Sequence, residues 1–446
     1  MSSKDLAAGR KPSALEATLI HQACVMFKKV FVRLHADLTI DFFDSENSYP
    51  FIPLIVGSSS DYFKVVEIEL GFMYDLLYTK ATMVYSFKGI IFRSICVLSY
   101  ISTFLIFGLV INKKLYFTID IALTYLLFVG AITLELYGIA LLLSTDWTLY
   151  WLSRKKNMLA GWIFKGMNSL LSILSHRKRL LGIFEMYEKY RHTSHEKVPF
   201  RMKELIFQKL QDARNHVNEE RDPASKYDKI RDVLSWKGNH ALQRLNIYTE
   251  FYWTVGEHVP LEKTIHIWHI ATDLCFYNEQ KHPDHHEYKS HVMSKLLSDY
   301  MMYILVMQPF LLPKGSGHIR FKDTCAQARE FFRQRRQIIS KGEAGGHQVL
   351  SEMWRELDSD GSGTDSNMGS KTVLTQGCWL AEKLQSQGWN YEQKWYIIGD
   401  VWIEMLCYSA SQCGWKEHVR QLRCGGELLT LVSLLMANLG FSEQFQ

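Results

Sequence analysis

A chain of 446 residues, 47% hydrophobic and 13% aromatic, carries enough apolar material for packed cores in two or three domains, which excludes wholesale disorder. Its formal charge of +5 is small and spread along the chain, which does not make a nucleic-acid footprint, so no nucleic acid is expected among its partners. Eight cysteines without a C-x-x-C pair suit a reducing compartment and free, mostly buried thiols rather than a disulfide framework or structural zinc, and no cofactor is expected.

In chain order, residues 1–14 are polar and charged, lack the apolar stretch of a secretory signal and read as a disordered N-terminus. Residues 15–88 read as a cytosolic juxtamembrane helical segment. Residues 89–112 follow as a transmembrane helix whose apolar run, Ile90 to Ile111, is about the length that crosses ~30 Å of hydrocarbon at ~1.5 Å per residue. Residues 115–145 form a second transmembrane helix, in which Leu123 to Leu143 is again bilayer-length. The connecting loop holds only Lys113 and Lys114, whereas Lys80, Lys88, Arg154, Lys155, Lys156 and Lys165 flank the pair. The basic residues therefore place both flanks, and both termini, in the cytosol: a multi-pass membrane protein with the lipid bilayer as a partner.

Two charges fall inside these spans, Arg93 and Glu135. A carboxylate at membrane depth costs at least a few kcal/mol unless paired or protonated, and antiparallel spans bring Arg93 within roughly two helical turns of it in depth. A pair that orients the hairpin is the first reading, and an ion pathway or a contact with another membrane subunit are the others. Residues 146–199 form a basic interfacial segment, with Leu159 to Leu174 amphipathic and His176 to Arg179 suited to anionic headgroups.

Beyond about Phe200 there is little period-two alternation, so the class is all-α: a transmembrane hairpin plus a mostly helical cytosolic domain. That domain spans residues 200–341 and, after a flexible linker at 342–370, residues 371–441. Pro260 opens a helix through Tyr277, PDHHE after it is a turn, and Ser290 to Met307 is a helix stopped by Pro309. Thr324 to Ile339 is a charged, exposed helix. Lys371 to Gln387, Tyr391 to Cys413 and Lys416 to Leu439 are three more. LDSDGSG at Leu357 to Gly363 opens like a calcium loop but has Gly369 where the bidentate glutamate belongs, so calcium binding is not expected. GGE at Gly425 to Glu427 is too short to cradle phosphate and reads as a helix boundary.

Polar residues inside the apolar helices are the candidate site. His269 and Asp273 lie one turn apart, where imidazole and carboxylate can hydrogen-bond, with His266 on the same side; His266, His269 and Asp273 are also weak metal-ligand candidates. Asp400 and Glu404 share one face of an otherwise apolar helix. Burying both requires a cation, a shared proton or basic partners, for which His269, His418, Arg420 and Arg423 are candidates. The cluster His269, Asp273, Asp400, Glu404 and His418 reads first as a satisfied core network and second as a metal or acid–base site. No phosphate-loop, dinucleotide, nucleophile-elbow or zinc-protease signature is present.

Several long motifs stand in a fixed order: VVEIELGFMYDLLYTKA from Val65, LLLSTDW from Leu141, WHIATDLCF from Trp268, LSDYMMYILVMQPFLLP from Leu297, and WYIIGDVWIEMLCYSASQC from Trp395 followed by GGELLTLVSLLMANLG. In these the chain resembles the plant membrane proteins that carry domain of unknown function 4220 followed by domain of unknown function 594. The resemblance implies an integral membrane protein with a cytosolic helical C-terminal domain and no assigned activity. It also implies an N-terminally shortened form, since fuller members carry additional membrane helices ahead of this segment.

These readings together point to a membrane-anchored interaction or scaffold protein that binds other proteins through its cytosolic helices. The alternatives are a transporter or channel component built on Glu135, and a metal-dependent enzyme built on His269, Asp273, Asp400 and Glu404.

Overall fold

A computed structural model describes residues 19–27, 59–78, 87–109, 117–143, 198–220, 222–280, 290–313, 372–422 and 428–441. Among the described residues every regular element is a helix, so the chain is all-helical as its pattern predicts. It divides into two compact units, Met1–Ser194 and His195–Gln446.

The first unit holds α1 (19–27), α2 (Ser59–Tyr78), α3 (Phe87–Leu109) and α4 (Thr118–Leu143). Ala23, Cys24 and Phe27 of α1 and Phe63, Val66, Phe72 and Met73 of α2 are buried, and the Phe27 and Phe72 rings meet at 5.9 Å. Helices α3 and α4 pack through ring edges: Phe104 and Phe107 face Tyr125 and Phe128, with centroids 5.3–6.0 Å apart. Elsewhere on the pair, bulky apolar side chains point outward, Phe92 at 72%, Leu126 at 67% and Leu134 at 71% exposure. The hydroxyls of Ser102, Thr103, Thr124 and Thr133 each donate to the carbonyl four residues back, at 2.7–2.8 Å, so they need no solvent partner.

In α4 the run Thr118–Glu135 is long and apolar enough to cross a bilayer, and none of it is buried inside the protein. The apolar run in α3, Ser94–Leu109, is shorter than the span expected from residues 89–112. Glu135 is half-buried, and the side chain of Arg93, with the expected pair, lies outside the described residues.

The second unit contains α5 (Phe200–Asn218), α6 (Pro223–Ser235), α7 (Asn239–Arg244), α8 (Tyr248–Val255), α9 (Leu261–Gln280), α10 (Ser290–Met307), a 3-10 turn (Pro309–Leu311), α11 (Val373–Ser386), α12 (Tyr391–Gln412), α13 (Trp415–Leu422) and α14 (Leu428–Asn438). Local chemistry fixes the starts. Asp222 accepts from the Ser225 N–H ahead of Pro223, Thr372 from that of Thr375, and Asn390 and Gln393 form a reciprocal capping box. Helix α9 packs against α10 and α11, burying Ile265, Trp268 and Ala271, and α12 packs on α10 and α14. The Trp402 indole N–H donates to Thr272 Oγ1 at 3.1 Å, tying α12 to α9. Where α11 crosses α9 the backbones approach so closely that a Cβ on Gly377 would stand 2.6 Å from Cβ of Ile270.

Ser290–Met307 matches expectation to the residue, and α9 runs past Tyr277 to Gln280. Of the helix expected from Lys416 to Leu439, the described residues hold α13 and α14, and residues 423–427 between them lie outside the description. Residues 1–14, the Leu159–Leu174 segment, the basic run to Arg179, the PDHHE turn, Thr324–Ile339, the 342–370 linker with its LDSDGSG stretch, Arg423 and GGE at 425–427 lie outside the described residues.

Candidate functional site

Asp400 and Glu404 project from one face of α12, and both are almost fully buried. Their counterions come from elements far away in sequence. Lys209, on α5, sits between them with Nζ 2.8 Å from Asp400 and 3.3 Å from Glu404. Arg244, the last residue of α7, donates to the second oxygen of Asp400, donates again to the Tyr396 hydroxyl at 3.0 Å, and lies over that ring. The basic groups suggested by sequence, His269, His418 and Arg420, are engaged elsewhere; the actual partners are Lys209, His240 and Arg244. Two carboxylates against two permanent cations leave the group charge-balanced, which is what burial demands.

Glu404 does a second job. Its Oε2 accepts from the backbone N–H of Gly238 at 3.2 Å and of Ala241 at 3.1 Å, while Oε1 meets His240 Nδ1 at 3.2 Å. Gly238 is the N-cap of α7, so the carboxylate satisfies free amide donors at a helix N-terminus and faces the positive end of its dipole. His240 in turn stacks on Trp236, rings parallel and 3.5 Å apart. Burial pushes the Glu404 carboxyl up, but the His240 hydrogen bond, the Lys209 ammonium and the Ala241 N–H outweigh it and hold the group below the usual carboxylate value. Burial lowers Arg244, and Asp400 with Tyr396 more than restores it.

A cleft of about 560 Å³ opens onto this network between α5, α10 and α12. Asp400, Lys209 and Arg244 line its floor, Met202, Leu205, Met293 and Leu297 its walls, and Arg201, Glu204, Asp212 and Glu392 are part of its lining.

His269 and Asp273 belong to a different place. His269 Nδ1 is 2.9 Å from Ser298 Oγ and 3.9 Å from Asp299, while Asp273 takes the ammonium of Lys295 at 3.1 Å instead of the imidazole of His269. Burial first, then the Lys295 charge, lowers the His269 pKa, whereas Asp273 and Asp299 more than offset the burial that lowers Lys295. His266 donates Nδ1–H to the Glu262 carbonyl at 2.9 Å within its own helix. The expected metal set His266, His269, Asp273 is therefore not assembled, and among the described residues no group of three or more His, Cys, Asp or Glu could hold a metal. The expected convergence of His269 and Asp273 with Asp400 and Glu404 does not occur either. Burial pushes the Cys275 thiol up to about 11 and those of Cys378, Cys407 and Cys413 to about 12, which makes these four poor nucleophiles.

His418 stands apart from both groups. Its Nε2–H donates to the Ala410 carbonyl at 3.3 Å, leaving Nδ1 to accept from the Thr430 hydroxyl at 3.1 Å. That is a neutral imidazole, and burial lowers its pKa to about 4 despite the Ala410 bond. The unfolded imidazole titrates near ~6.5, so below that pH the unfolded state binds the proton first. Stability is unaffected above about pH 6.5 and is lost as pH falls towards 4, by roughly 2–3 kcal/mol between pH 7 and 4.5. Urea unfolding of the full chain in detergent at those two pH values is expected to show the loss, and His418→Gln to remove about that part of it. An unchanged pH difference in His418→Gln would exclude His418 as its source.

Comparison with known families now bears on this geometry. Residues 2–198 match the model of a domain of unknown function, DUF4220, and residues 387–441 match that of a protein of unknown function, DUF594. The chain is a DUF4220–DUF594 protein. Searches of curated proteins and of solved structures return no match. The DUF594 segment covers α12, α13 and α14 and so supplies Asp400, Glu404 and His418. Lys209, His240 and Arg244 come from the stretch between the two matched segments. The charge network therefore joins the DUF594 helices to a region that neither family model covers.

Proposed function

We propose that this DUF4220–DUF594 chain is a membrane-anchored interaction protein, with α3 and α4 as a transmembrane hairpin, both flanks cytosolic, and the second unit as its binding module. The observation that carries the reading is the run Thr118–Glu135, long and apolar enough to cross a bilayer and with none of it buried inside the protein. The outward-facing Phe92, Ile95, Leu98, Leu105 and Leu109 of α3 extend the same surface. Left in water, side chains of this size cost ~1.5–3 kcal/mol each relative to burial, so two helices that expose fifteen large hydrophobic side chains favour an apolar surrounding. Hydroxyls bonded within their own helices suit that surrounding. On the other unit, two ion networks favour a binding scaffold over catalysis, because the carboxylates of Asp400, Glu404 and Asp273 are already held by lysine and arginine cations.

The test is membrane fractionation with an alkaline carbonate wash, combined with epitope tags at both ends and a glycosylation acceptor placed in the 110–117 connection. The expected result is retention in the washed membrane pellet, glycosylation of the connection, and removal of both tags by protease added outside sealed microsomes, whose cytosolic face is outward. Release into the supernatant would overturn the anchor, and tags on opposite sides would overturn the hairpin.

A further inference from the structure

The cleft between α5, α10 and α12 has matched charges deep in its lining and unmatched ones nearer to solvent. On its floor every charge has a partner: Asp400 binds both Lys209 and Arg244, and Glu404 binds Lys209. Among the lining residues closer to solvent, Glu204, Asp212 and Glu392 make no ion pair among the described residues, with Arg201 as the one cation beside them. The floor is balanced while the rim carries an excess of negative charge. Between the two lie apolar walls, Met202, Leu205, Met293, Leu297 and Ile403, on three different helices. The volume, about 560 Å³, falls in the ~300–1,000 Å³ range of ligand clefts. Tyr396 of the lining is 53% exposed, and Phe200 and Val292, next in sequence to lining residues, are 56% and 42% exposed.

An acidic rim around an apolar hollow is the complement of a chain segment that is apolar on one side and cationic at its edges. We propose that this cleft docks a basic amphipathic segment of a partner protein, apolar side chains entering between Met202, Leu205, Met293 and Leu297, and lysine or arginine side chains meeting Glu204, Asp212 and Glu392. The proposal rests on the reading of the second unit as a binding module and names its surface. Methionine on two of the walls suits such an occupant, since the unbranched thioether repacks around apolar groups of different shape. The sealed floor has a role here too: with Asp400 neutralised from both sides, it offers no competing charge to the entering apolar groups.

The test uses the full chain in nanodiscs of zwitterionic lipid, with empty nanodiscs as the reference. The probe is a fluorescein-labelled 12-residue peptide of leucine and lysine in helical pattern, alongside its counterpart with glutamate for lysine. Saturable binding of the lysine peptide above the empty-nanodisc reference is expected, with the glutamate peptide at the reference. Reversing the rim with E204K, D212K and E392K together, all on exposed or half-exposed positions, is expected to weaken binding at least tenfold, as is filling the hollow with Met293→Trp. The rim variant keeps the buried core intact, so its result stands even where Met293→Trp folds poorly. Equal binding by wild type and rim variant, or binding of the glutamate peptide as tightly as the lysine one, would overturn the proposal. Self-association of the wild type that the rim variant abolishes would place a second copy in the cleft and also overturn it. Should the chain fail to enter nanodiscs, the anchor reading falls, while the same titration in detergent-free buffer still decides the cleft.

Discussion

Glu404→Ala is expected to destabilise the second unit by about 3–5 kcal/mol, the range for removing one partner of a buried ion pair. The arithmetic follows from what is stranded. Lys209 Nζ loses the carboxylate at 3.3 Å and keeps only Asp400, which it already shares with Arg244. The N–H groups of Gly238 and Ala241 lose their acceptor in a buried position, and each unmade bond there costs ~1–3 kcal/mol. Glu404→Gln separates charge from geometry: the amide oxygen can still accept from one or both N–H groups, so its loss should be smaller, and the difference measures the Lys209 attraction. Urea unfolding of the full chain in detergent reads both. If Glu404→Ala costs under 1 kcal/mol, the carboxylate is not the cap and counterion described here.

Gly238→Ala should cost about as much by another route, roughly 3–5 kcal/mol from backbone strain and overpacking together. At φ +108 the residue occupies a region that side-chain-bearing residues avoid, and a Cβ there would stand 2.9 Å from Val401 Cγ1 and 3.0 Å from Val255 Cγ1. Both valines are buried, so neither can give way cheaply. Because Gly238 sets the start of α7, the same substitution should displace Ala241 N–H from Glu404 and couple to Glu404→Ala. A double-mutant cycle is expected to show a combined loss well below the sum of the two, and strict additivity would mean that the turn and the carboxylate act independently.

The helical class and several boundaries were legible because they rest on local chemistry: Pro309 stops α10, and Asn390 with Gln393 starts α12. Asp400 and Glu404 were legible as a problem, since two carboxylates one turn apart in an apolar helix need an answer. The answer itself was not. Lys209 lies 191 residues from Asp400 and 195 from Glu404, and Arg244 lies 156 from Asp400, so these pairs form only through tertiary packing. Lys209 stands three residues after Ile206 and four before Ala213, on the buried stripe of α5, but that spacing does not say which carboxylate it meets, and sequence reasoning looked instead to His269, His418 and Arg420. His269 was misassigned for a related reason: its helix neighbour Asp273 is closer in sequence, but Lys295 across the interface is the stronger attraction for that carboxylate. Helix geometry alone says which residues share a face, and the partner helix decides which of them pair.

The cap on α7 also has a consequence in time. Six residues make a helix too short to persist alone, and its cap is 166 residues further along the chain. At ~5–20 residues per second of synthesis, roughly 10–30 s pass between the appearance of Gly238 and that of Glu404 at the ribosome. Throughout that interval α7 lacks its carboxylate, Lys209 lacks its counterions, and α6 and α7 lack the α12 surface on which they pack. The early part of this unit thus depends on a late one, so a chain interrupted before α12 exposes a lysine-bearing apolar surface, the kind that chaperones hold and proteases find.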